Sequence, residues 1–464
     1  MRILTKQITE YESQNVELAG WVDVRRAHGK ILFLDLRDRS GVAQLVFTPG
    51  NKTLYEKAEL LRPEWVIRVY GMVNRRPEGM QNANFQNGHH EVLVTELEVV
   101  SEALTPPFAI ETDGYDVGEE IRMQYRYLDL RRKRLQKNLR VRANVLREFS
   151  SFLAGHDFVE VETPDLTRST PEGARDDLVP SRLYPGQFYA LPQSPQQYKQ
   201  LLMVAGLERY FQMAKCFRDE DTRGDRQPEF TQLDIEMSFI EESELMDLIQ
   251  EMMTSMLAKY FPDKHFDRTF TIVNYRDVME QYKTDKPDLR KDKNNPHELA
   301  FLWVMHFPLF EYSKEEKRLV STHHPFTAPE TADIELLEKS PEKVMARAYD
   351  LVLNGYEVGG GSIRINNREL QERVFKALGL KKETYEAEFG HLLQAFDYGA
   401  PAHGGIAIGI DRLLAILLGE PNIREVIAFP KTGDGRDLMM QAPSEVSKEQ
   451  LDELGIQVKQ HKQQ

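Results

Sequence analysis

The first hundred residues alternate between short apolar runs and segments rich in turn-forming residues. Five runs alternate apolar and polar positions as half-buried β-strands do, and they cover Val16–Arg25, Ile31–Leu36, Val42–Phe47, Trp65–Val73 and Glu91–Val99. One amphipathic stretch, Leu54–Leu61, lies between the third and fourth runs and predicts a helix. The pattern therefore predicts three strands, one helix and two further strands.

This order of elements is typical of a five-stranded OB β-barrel, a fold that often reads single-stranded nucleic acid. The segment from Pro106 to Gly118 interrupts the pattern with turn formers and predicts a hinge. We therefore assign residues 1–105 to the barrel domain, 106–135 to a hinge and linker, and 136–464 to a second, larger domain.

The composition is that of a folded protein, because 41% of the 464 residues are apolar. The net charge of −14, taken alone, argues against a nucleic-acid partner. The acidic excess lies outside residues 1–100, which hold 13 basic and 13 acidic residues. The stretch 122–147 is locally basic around Arg131-Arg132-Lys133-Arg134, so it is either a phosphate-binding cluster or a solvated helix face.

Cys216 is the only cysteine, which excludes an intrachain disulfide and a cysteine-rich zinc site. The first residues lack the apolar core of a signal peptide, and no apolar run is long enough to span a bilayer. These features predict a cytoplasmic protein with no membrane partner.

Charged residues concentrate between two apolar runs in the segment 216–230. Arg218 offers a fork of donors suited to phosphate, Glu220 can orient a metal or an amine, and Phe230 can stack on a base. A charge run of this kind is more often a solvated loop. The alternative readings are therefore a nucleotide-binding hairpin and an ordinary exposed turn.

A glycine-rich strand runs into a predicted helix over 404–414, and that helix starts near Asp411. Glycines let the backbone approach a ligand closely, and Arg412 presents a second guanidinium in the first helical turn. The segment 158–164 alternates apolar and polar residues and ends in Pro164, as an edge strand does.

In chain order, the segments 158–164, 216–230 and 404–414 resemble motifs 1, 2 and 3 of the class II aminoacyl-tRNA synthetases. The resemblance implies an α+β catalytic domain with an antiparallel sheet flanked by helices, and a C2 homodimer with Pro164 at its interface. It implies Arg218, Glu220 and Arg412 as catalytic residues. The implied ATP contacts are Arg218, Asp219, Glu220, Gln227, Phe230, Glu357, Gly409, Ile410, Asp411 and Arg412.

The residues between the motifs resemble the aspartyl-tRNA synthetases, with 172–176 similar to their mobile loop and 193–200 similar to their amino-acid pocket. A substrate carboxylate needs cationic donors and an ammonium group needs acceptors. The aspartate contacts implied are Glu172, Ser194, Gln196, Gln197, Tyr198, Lys199, Arg218, Asp234, His323 and Arg364. Without the resemblance, Lys199 and Arg364 would be ordinary surface side chains.

The stretch 349–364 carries two carboxylates, Asp350 and Glu357, seven positions apart. Because Asn354-Gly355 is a turn signal, we expect a helix that ends there and a strand from Glu357 to Arg364. The resemblance implies that the two carboxylates bind magnesium (Mg2+) on ATP. The segment 321–327 resembles the bacterial form of the enzyme, in which the first histidine, here His323, contacts aspartate; two adjacent histidines are otherwise typical of a plain loop.

For the barrel, the resemblance implies anticodon binding by Arg26, His28, Phe33, Gln44 and Gly79. We expect His28 in a loop after the first strand. A histidine and a glycine at the positions of His28 and Gly79 go with family members that charge both tRNA(Asp) and tRNA(Asn). The alternatives are that Phe33 belongs to the barrel core and that His28 is a plain polar loop residue.

Two departures from the family stand out. The sizeable insert that bacterial members carry is absent here between about residues 290 and 301, and Gln197 stands where an apolar residue is usual. The resemblance implies ATP-dependent attachment of L-aspartate to tRNA(Asp), and to tRNA(Asn) as well, through an aspartyl-adenylate. The alternatives are a strictly discriminating tRNA(Asp) enzyme, a lysyl or asparaginyl enzyme of the same architecture, and an inactive tRNA-binding or regulatory paralogue.

Overall fold

The structure is a computed structural model that describes residues 2–83, 87–170, 174–222 and 224–459. The chain divides into two compact units, Met1–Ile110 and Glu111–Gln464. The division lies inside the predicted linker 106–135, and the later part of that linker is helical.

The first unit is a closed barrel in the strand order β1-β2-β3-β5-β4. Its elements are a 3-10 helix at Thr5–Tyr11, β1 (Asn15–His28), β2 (Ile31–Asp38), β3 (Gly41–Phe47), α1 (Lys52–Glu59), β4 (Val66–Arg75) and β5 (His90–Ser101). Neighbouring strands are antiparallel except β3 and β5, which pair in parallel. The predicted five-stranded OB barrel is confirmed.

The alternation that predicted the strands also fills the barrel. Leu32, Leu34 and Leu36 of β2 are buried in one apolar core, and Ile8 of the 3-10 helix packs into the same core. Successive side chains of a strand point to opposite faces. Phe33 and Asp35, which lie between these leucines, therefore point away from this core.

The predicted loop around His28 is wrong. β1 continues through Arg25–His28, and His28 pairs with Ile31 of β2. The turn consists of Gly29 and Lys30, and Gly29 has a φ of +60°, a conformation that glycine adopts without a steric penalty.

The second unit contains an eight-stranded sheet in the order β12-β14-β17-β18-β19-β10-β9-β6. The strands of the whole unit are β6 (Val159–Glu160), β7 (Leu178–Pro180), β8 (Phe188–Ala190), β9 (Arg209–Phe217), β10 (Glu229–Ser238), β11 (His265–Phe266), β12 (Thr271–Asn274), β13 (Glu298–Leu299), β14 (Phe301–Met305), β15 (Phe310–Ser313), β16 (Arg318–Ser321), β17 (Ala348–Leu353), β18 (Tyr356–Ile363) and β19 (His403–Gly409). Within the large sheet only β12–β14 and β6–β9 pair in parallel.

The helices of this unit are α2 (Glu119–Gln124), α3 (Arg126–Asp129), α4 (Lys133–Ala154), α5 (Gln196–Val204), α6 (Glu242–Tyr260), α7 (Tyr275–Tyr282), α8 (Leu336–Lys339), α9 (Arg368–Ala377), α10 (Lys382–Phe396), α11 (Ile410–Leu418) and α12 (Lys448–Leu454). Short 3-10 helices occur at Thr331–Asp333, Pro341–Lys343 and Ile423–Glu425. The predicted antiparallel sheet with flanking helices is confirmed.

One face of the large sheet packs against α4, α6 and α11. Leu233 and Ile235 of β10 share an apolar core with residues of all three helices. Because side chains alternate along a strand, Asp234 and Glu236 lie on the opposite face. That face holds the polar site described below.

The helix predicted before Asn354 is wrong, because Ala348–Leu353 is the strand β17. It pairs with β14 on one side and β18 on the other, and all six of its residues are buried. A short apolar run that is buried on both faces does not show whether it is helix or strand. Asn354 and Gly355 both have positive φ, +51° and +86°, and form a two-residue hairpin turn.

The basic stretch 122–147 matches neither predicted alternative over its first part. Arg122, Arg126 and Arg132 are buried and surround the buried carboxylate of Asp129 at 2.7 to 3.1 Å. Arg122 also pairs with Glu425 at 2.7 Å. Arg122 and Arg126 thus tie the chain around α2 and α3 to the segment that follows α11, and Arg132 bonds the chain just before α2. The three guanidinium groups are neither a solvated face nor open phosphate donors.

Candidate active site

A cleft of about 210 Å³ lies where the β9–β10 turn meets the start of α11. Residues of both predicted nucleotide motifs line it, namely Arg218, Glu220, Gln227, Phe230, Gly409, Asp411 and Arg412, and Glu357 of β18 lines it as well. The strands place them there because Glu229 pairs with Phe217, which leaves 218–228 as the connecting turn. Segments almost two hundred positions apart thus form one polar cleft.

Two guanidinium groups face this cleft in different settings. The Arg218 guanidinium lies 5.1 Å from the ring centre of Phe230, a distance typical of a cation–π contact. Arg412 donates from Nη1 to the backbone oxygen of Glu357 at 2.6 Å and from Nη2 to Asp225 at 3.2 Å. Its buried Nε has no hydrogen-bond partner within the described ranges.

Several predicted ATP contacts are engaged by protein groups. Both amide atoms of Gln227 bond the backbone of Lys431, at 3.1 and 2.7 Å. Asp411 is buried, and its two oxygens accept from Arg142 at 2.5 Å and from the backbone N–H of Thr231 at 3.0 Å. Asp411 therefore braces the start of α11 against α4 and β10.

The remaining residues of this set have varied surroundings. Glu220 pairs with Arg226 at 2.9 Å, and the exposed Asp219 pairs with Arg175 at 3.2 Å. The side chain of Ile410 is fully buried in the apolar core, so only its backbone is available to a ligand. Gly409 precedes α11 at the edge of the cleft.

Asp350 of β17 and Glu357 of β18 converge over Gly360. A Cβ atom at position 360 would lie 2.9 Å from Asp350 Oδ1 and 3.5 Å from Glu357 Oε1. The charge of Asp350, followed by burial, raises the pKa of Glu357, as expected for like charges in a shared site. Two crowded carboxylate oxygens suit a hard divalent cation.

No group of three or more histidine, cysteine or acidic side chains suited to a metal occurs among the described residues. A magnesium ion at Asp350 and Glu357 would therefore take its other ligands from substrate phosphates or water, which is its usual habit. The pair fits such an ion and does not form a closed structural metal site.

Lys199, Asp234, Glu236 and Arg364 form a buried charge network beside the cleft. Lys199 Nζ lies 2.7 Å from Asp234 Oδ2 and 3.1 Å from Glu236 Oε2, and Arg364 Nε donates to Glu236 Oε1 at 3.0 Å. All four residues are at most 3% exposed. Glu236 holds both cations, so it sets the distance between them.

The pKa values of the two acids of the network are shifted in opposite directions. Burial raises the pKa of Asp234 more than Lys199 lowers it. Burial also acts on Glu236, but Arg364 and Lys199 outweigh it and lower its pKa to about 2. The Oδ1 atom of Asp234 is buried and has no hydrogen-bond partner within the described ranges; the nearby Tyr210 hydroxyl donates to Gln212 at 2.8 Å. Asp234 thus presents an open acceptor.

Glu236 was not predicted from the sequence. The signal for it was its position two residues after Asp234 on a strand, because residues at that spacing share a face. Gly405 of the neighbouring strand lies against the same carboxylate: a Cβ at 405 would come within 2.0 Å of Glu236 Oε2. Glycine at this position lets Glu236 reach both cations.

The two adjacent histidines have different partners. His323 Nε2 lies 3.1 Å from Asp350 Oδ1, and this carboxylate outweighs burial and raises the pKa of His323. His324 is in hydrogen-bond contact with Arg364, and burial together with Arg364 lowers its pKa well below the usual value. His323 is thus linked to the carboxylate pair, and His324 to the charge network.

The predicted amino-acid residues around α5 separate into two groups. Gln196, Lys199 and Gln200 share one face of the helix and are buried. Ser194, Gln197 and Tyr198 line a different cavity of about 250 Å³ with Thr167 and His391, and the Tyr198 hydroxyl lies 3.1 Å from that of Thr167. Glu172, predicted to contact the ammonium group, lies outside the described residues.

In the barrel unit, three of the predicted anticodon residues share one surface. Arg26 pairs across the β1–β2 ladder with the half-buried Phe33 and donates to Asp35 at 2.8 Å. Gln44 stands opposite Asp35 and donates to Glu91 at 2.9 Å. Phe33 is not part of the barrel core cluster. His28 lies at the end of the hairpin, and Gly79, with φ of +81° and open space around its Cα, lies between β4 and β5.

Comparison with known proteins agrees with this architecture. Residues 118–433 match the family described as tRNA synthetases class II (D, K and N), and residues 16–100 match the OB-fold nucleic acid binding domain. The Aspartate--tRNA(Asp/Asn) ligase of Syntrophomonas wolfei is 42% identical over 96% of this chain and 97% of its own length. The corresponding ligase of Rubrobacter xylanophilus is 43% identical over 96% and 94%.

The alignment with the Syntrophomonas protein extends over 570 positions, whereas this chain has 464 residues. The relative therefore carries more than a hundred residues that have no counterpart here. An absent insert of that size is consistent with the departure noted near residues 290–301, whose location stays a prediction.

Solved structures share the fold. The asparaginyl-tRNA synthetase of Pyrococcus horikoshii, complexed with asparaginyl-adenylate, has a TM-score of 0.74 at 23% identity and covers 93% of this chain and 98% of that one. The aspartyl-tRNA synthetase of Entamoeba histolytica has a TM-score of 0.73 at 22% identity, with 93% and 91% covered. None of the described helices has the length and hydropathy that a membrane span requires. The match over residues 118–433, together with relatives more than 40% identical along nearly the whole chain, makes this protein a member of the class II tRNA synthetases of the D, K and N group.

Proposed function

We propose that this enzyme attaches L-aspartate to tRNA(Asp) and also to tRNA(Asn), using ATP and passing through an aspartyl-adenylate. The observation that carries the choice of amino acid is the buried pair Lys199 and Arg364, held by Glu236 next to the open acceptor of Asp234. Two fixed cations suit a side-chain carboxylate, and Asp234 suits an ammonium group. The relatives named as Aspartate--tRNA(Asp/Asn) ligases support the same substrate.

In the first step, an α-carboxylate oxygen of aspartate attacks the α-phosphorus of ATP. The bond to the β-phosphate breaks, and pyrophosphate leaves with its charge. Arg218 and Arg412 stabilise the charge that develops on the phosphates, and no protein nucleophile is required. Magnesium, when bound at Asp350 and Glu357 with phosphate oxygens, supplies further neutralisation.

In the second step, a hydroxyl at the 3′ end of the tRNA attacks the carbonyl carbon of the adenylate. AMP leaves with the electron pair of the broken mixed-anhydride bond, and the proton of the attacking hydroxyl passes to the AMP phosphate or to water. The site again acts by position and electrostatics, because Lys199, Arg364 and Asp234 keep the aspartyl group in place while the acyl bond is exchanged.

The proposal that the enzyme charges both tRNAs rests on residues of the barrel domain. Arg26, Phe33 and Gln44 share one outer surface on which a single-stranded base can stack and form hydrogen bonds. His28 at the hairpin end and Gly79 support acceptance of the tRNA(Asn) anticodon as well.

We also propose a cytoplasmic homodimer whose interface includes the edge around β6 and Pro164. Light scattering on the purified protein tests this assembly.

The experiment that tests the function is amino-acid-dependent exchange of pyrophosphate into ATP, with aspartate, asparagine and lysine supplied in turn. Exchange with aspartate alone is the expected result. Exchange that depends on asparagine or lysine would replace the proposed substrate, and no exchange with any of them would point to an inactive paralogue. Side-by-side charging of tRNA(Asp) and tRNA(Asn) transcripts then tests the tRNA choice. A rate on tRNA(Asn) hundreds of times lower would identify a discriminating enzyme.

A further inference from the structure

A buried hydrogen-bond relay runs from α5 to β19 behind the amino-acid pocket. Gln196 Nε2 donates to Gln200 Oε1 at 3.0 Å, and Gln200 Nε2 donates to His403 Nε2 at 3.2 Å. His403 Nδ1 donates to the backbone oxygen of Pro401 at 2.8 Å. The three side chains are at most 6% exposed, and Gln200 and His403 are fully buried.

The far end of this relay dictates the direction of every bond in it. The Pro401 carbonyl can only accept, so His403 carries its proton on Nδ1. Burial, together with the charges of Arg364 and Lys199, lowers the pKa of His403 despite Glu236, which keeps the ring neutral. A neutral ring protonated on Nδ1 has a lone pair on Nε2, and Gln200 must present its amino group to it.

The same reasoning continues to the pocket. With its amino group on His403, Gln200 turns its carbonyl oxygen toward Gln196, and Gln196 must donate to that oxygen. The carbonyl oxygen of Gln196 is then the atom left for another partner. Gln196 shares a helix face with Lys199, which contacts Asp234, so that oxygen belongs to the amino-acid pocket.

We propose that Gln200 and His403 are positioning residues that fix the amide of Gln196 so that its oxygen accepts from the ammonium group of the substrate. An amide can rotate by half a turn at little cost, and a reversed Gln196 would present N–H groups to an ammonium cation. The relay removes this freedom before the substrate arrives. The inference rests on the proposed function, because it assigns the ammonium contact of the same pocket.

Two substitutions at one position separate this role from a general contribution to packing. His403→Gln places an amide oxygen within reach of Gln200 Nε2, so the direction of the relay is kept. His403→Asn is one methylene shorter, so its amide reaches Pro401 but not Gln200. Ser238→Ala is the matched control, because Ser238 pairs with position 403 across the β10–β19 ladder and its hydroxyl donates to the Met203 sulfur at 3.1 Å, outside the relay.

The measurements are the KM for aspartate and for ATP in pyrophosphate exchange, and the inhibition constant of succinate. Succinate has both carboxylates of aspartate and lacks the ammonium group. His403→Asn should raise the aspartate KM roughly tenfold, the cost of one misdirected buried hydrogen bond. The ATP KM and the succinate constant should stay at parental values, and His403→Gln and Ser238→Ala should behave like the parent.

Equal aspartate KM values for His403→Asn and the parent would overturn the inference. So would a parallel rise in the succinate constant, because that would indicate a general distortion of the pocket. If the variants at 403 do not fold, Gln200→Leu replaces His403→Asn with the same readouts and criteria. A parent that shows no aspartate-dependent exchange would overturn the proposed function itself, whereas an active parent with unaltered variants would overturn only the relay.

Discussion

Replacing Lys199 with methionine tests the reading of the amino-acid pocket most directly. Methionine has a similar length and shape, so the substitution removes the charge and its hydrogen bonds at nearly constant volume. Lys199 contacts Asp234 at 2.7 Å and Glu236 at 3.1 Å and is 1% exposed. Under the proposed assignment, Arg364 alone would face the side-chain carboxylate of aspartate in Lys199→Met.

The size of the effect follows from burial. A hydrogen bond between charged groups contributes about 1.5 to 3 kcal/mol, and removing one member of a buried ion pair costs about 3 to 5 kcal/mol. A loss of about 3 kcal/mol corresponds to roughly two orders of magnitude in kcat/KM for aspartate. Asparagine has a neutral amide and loses no charge partner, so the ratio of aspartate to asparagine activity should fall at least tenfold.

The assay is pyrophosphate exchange with each amino acid, accompanied by thermal unfolding. Lys376→Met is the matched control, because Lys376 is exposed on α9. Asp234 has a raised pKa and can take up a proton when its partner is lost, which limits the loss of stability. The double variant Lys199→Met with Asp234→Asn removes both charges and shows whether the specificity change persists in a neutral pair.

An unchanged preference for aspartate over asparagine in Lys199→Met, in a protein that still unfolds cooperatively, would refute this reasoning. The same holds if the two activities fall in equal proportion, because Lys199 would then support the fold or the ammonium side of the site. Either outcome would move the carboxylate pocket away from Lys199 and Arg364.

Four further expectations concern other parts of the molecule. Arg218→Ala should slow adenylate formation by about two to three orders of magnitude at unchanged melting temperature, since one transition-state donor contributes about 3 to 4 kcal/mol; near-normal exchange would contradict this. Gly360→Ala should raise the magnesium concentration needed for half-maximal exchange, because its Cβ would lie 2.9 Å from Asp350 Oδ1, and an unaltered magnesium titration would exclude a metal role for the pair. The pKa of Glu236 is lowered from 4.5 to about 2, so its stabilisation is complete above about pH 4.5 and is lost as pH falls toward 2; melting temperature should therefore depend less on pH in that window for Glu236→Gln than for the parent, and parallel curves would argue against it. His28→Leu should change the ratio of charging rates on tRNA(Asn) and tRNA(Asp), by roughly fivefold to a hundredfold for a contact of about 1 to 3 kcal/mol, whereas an identical ratio would remove His28 from anticodon recognition.

Elements with a local signal could be predicted from the sequence alone. The five barrel strands follow from alternation, because one face of each strand must be buried, and each strand lies within three residues of its predicted bounds. Two arginines of the cleft between the β9–β10 turn and α11 could likewise be predicted, since Arg218 and Arg412 lie in short segments with turn and glycine signals around them. Local patterns determine local backbone and the residue types available to a site.

Features that depend on partners far along the chain became visible only in the fold. Ala348–Leu353 is a strand because β14 and β18 take up its backbone hydrogen bonds on both sides, which no spacing within the segment records. Asp411, predicted as an ATP contact, links α11 to α4, because α4 places Arg142 2.5 Å from its carboxylate.

The amino-acid pocket is the clearest case of this division. Glu236 and Arg364 are 128 positions apart in the chain, and a buried charge is tolerated only where an opposite charge meets it. The sequence supplied the charges, and the sheet order, with β10 and β18 on either side of β19, brought them together. Which cations are brought together, and which acid holds them there, therefore depends on the fold.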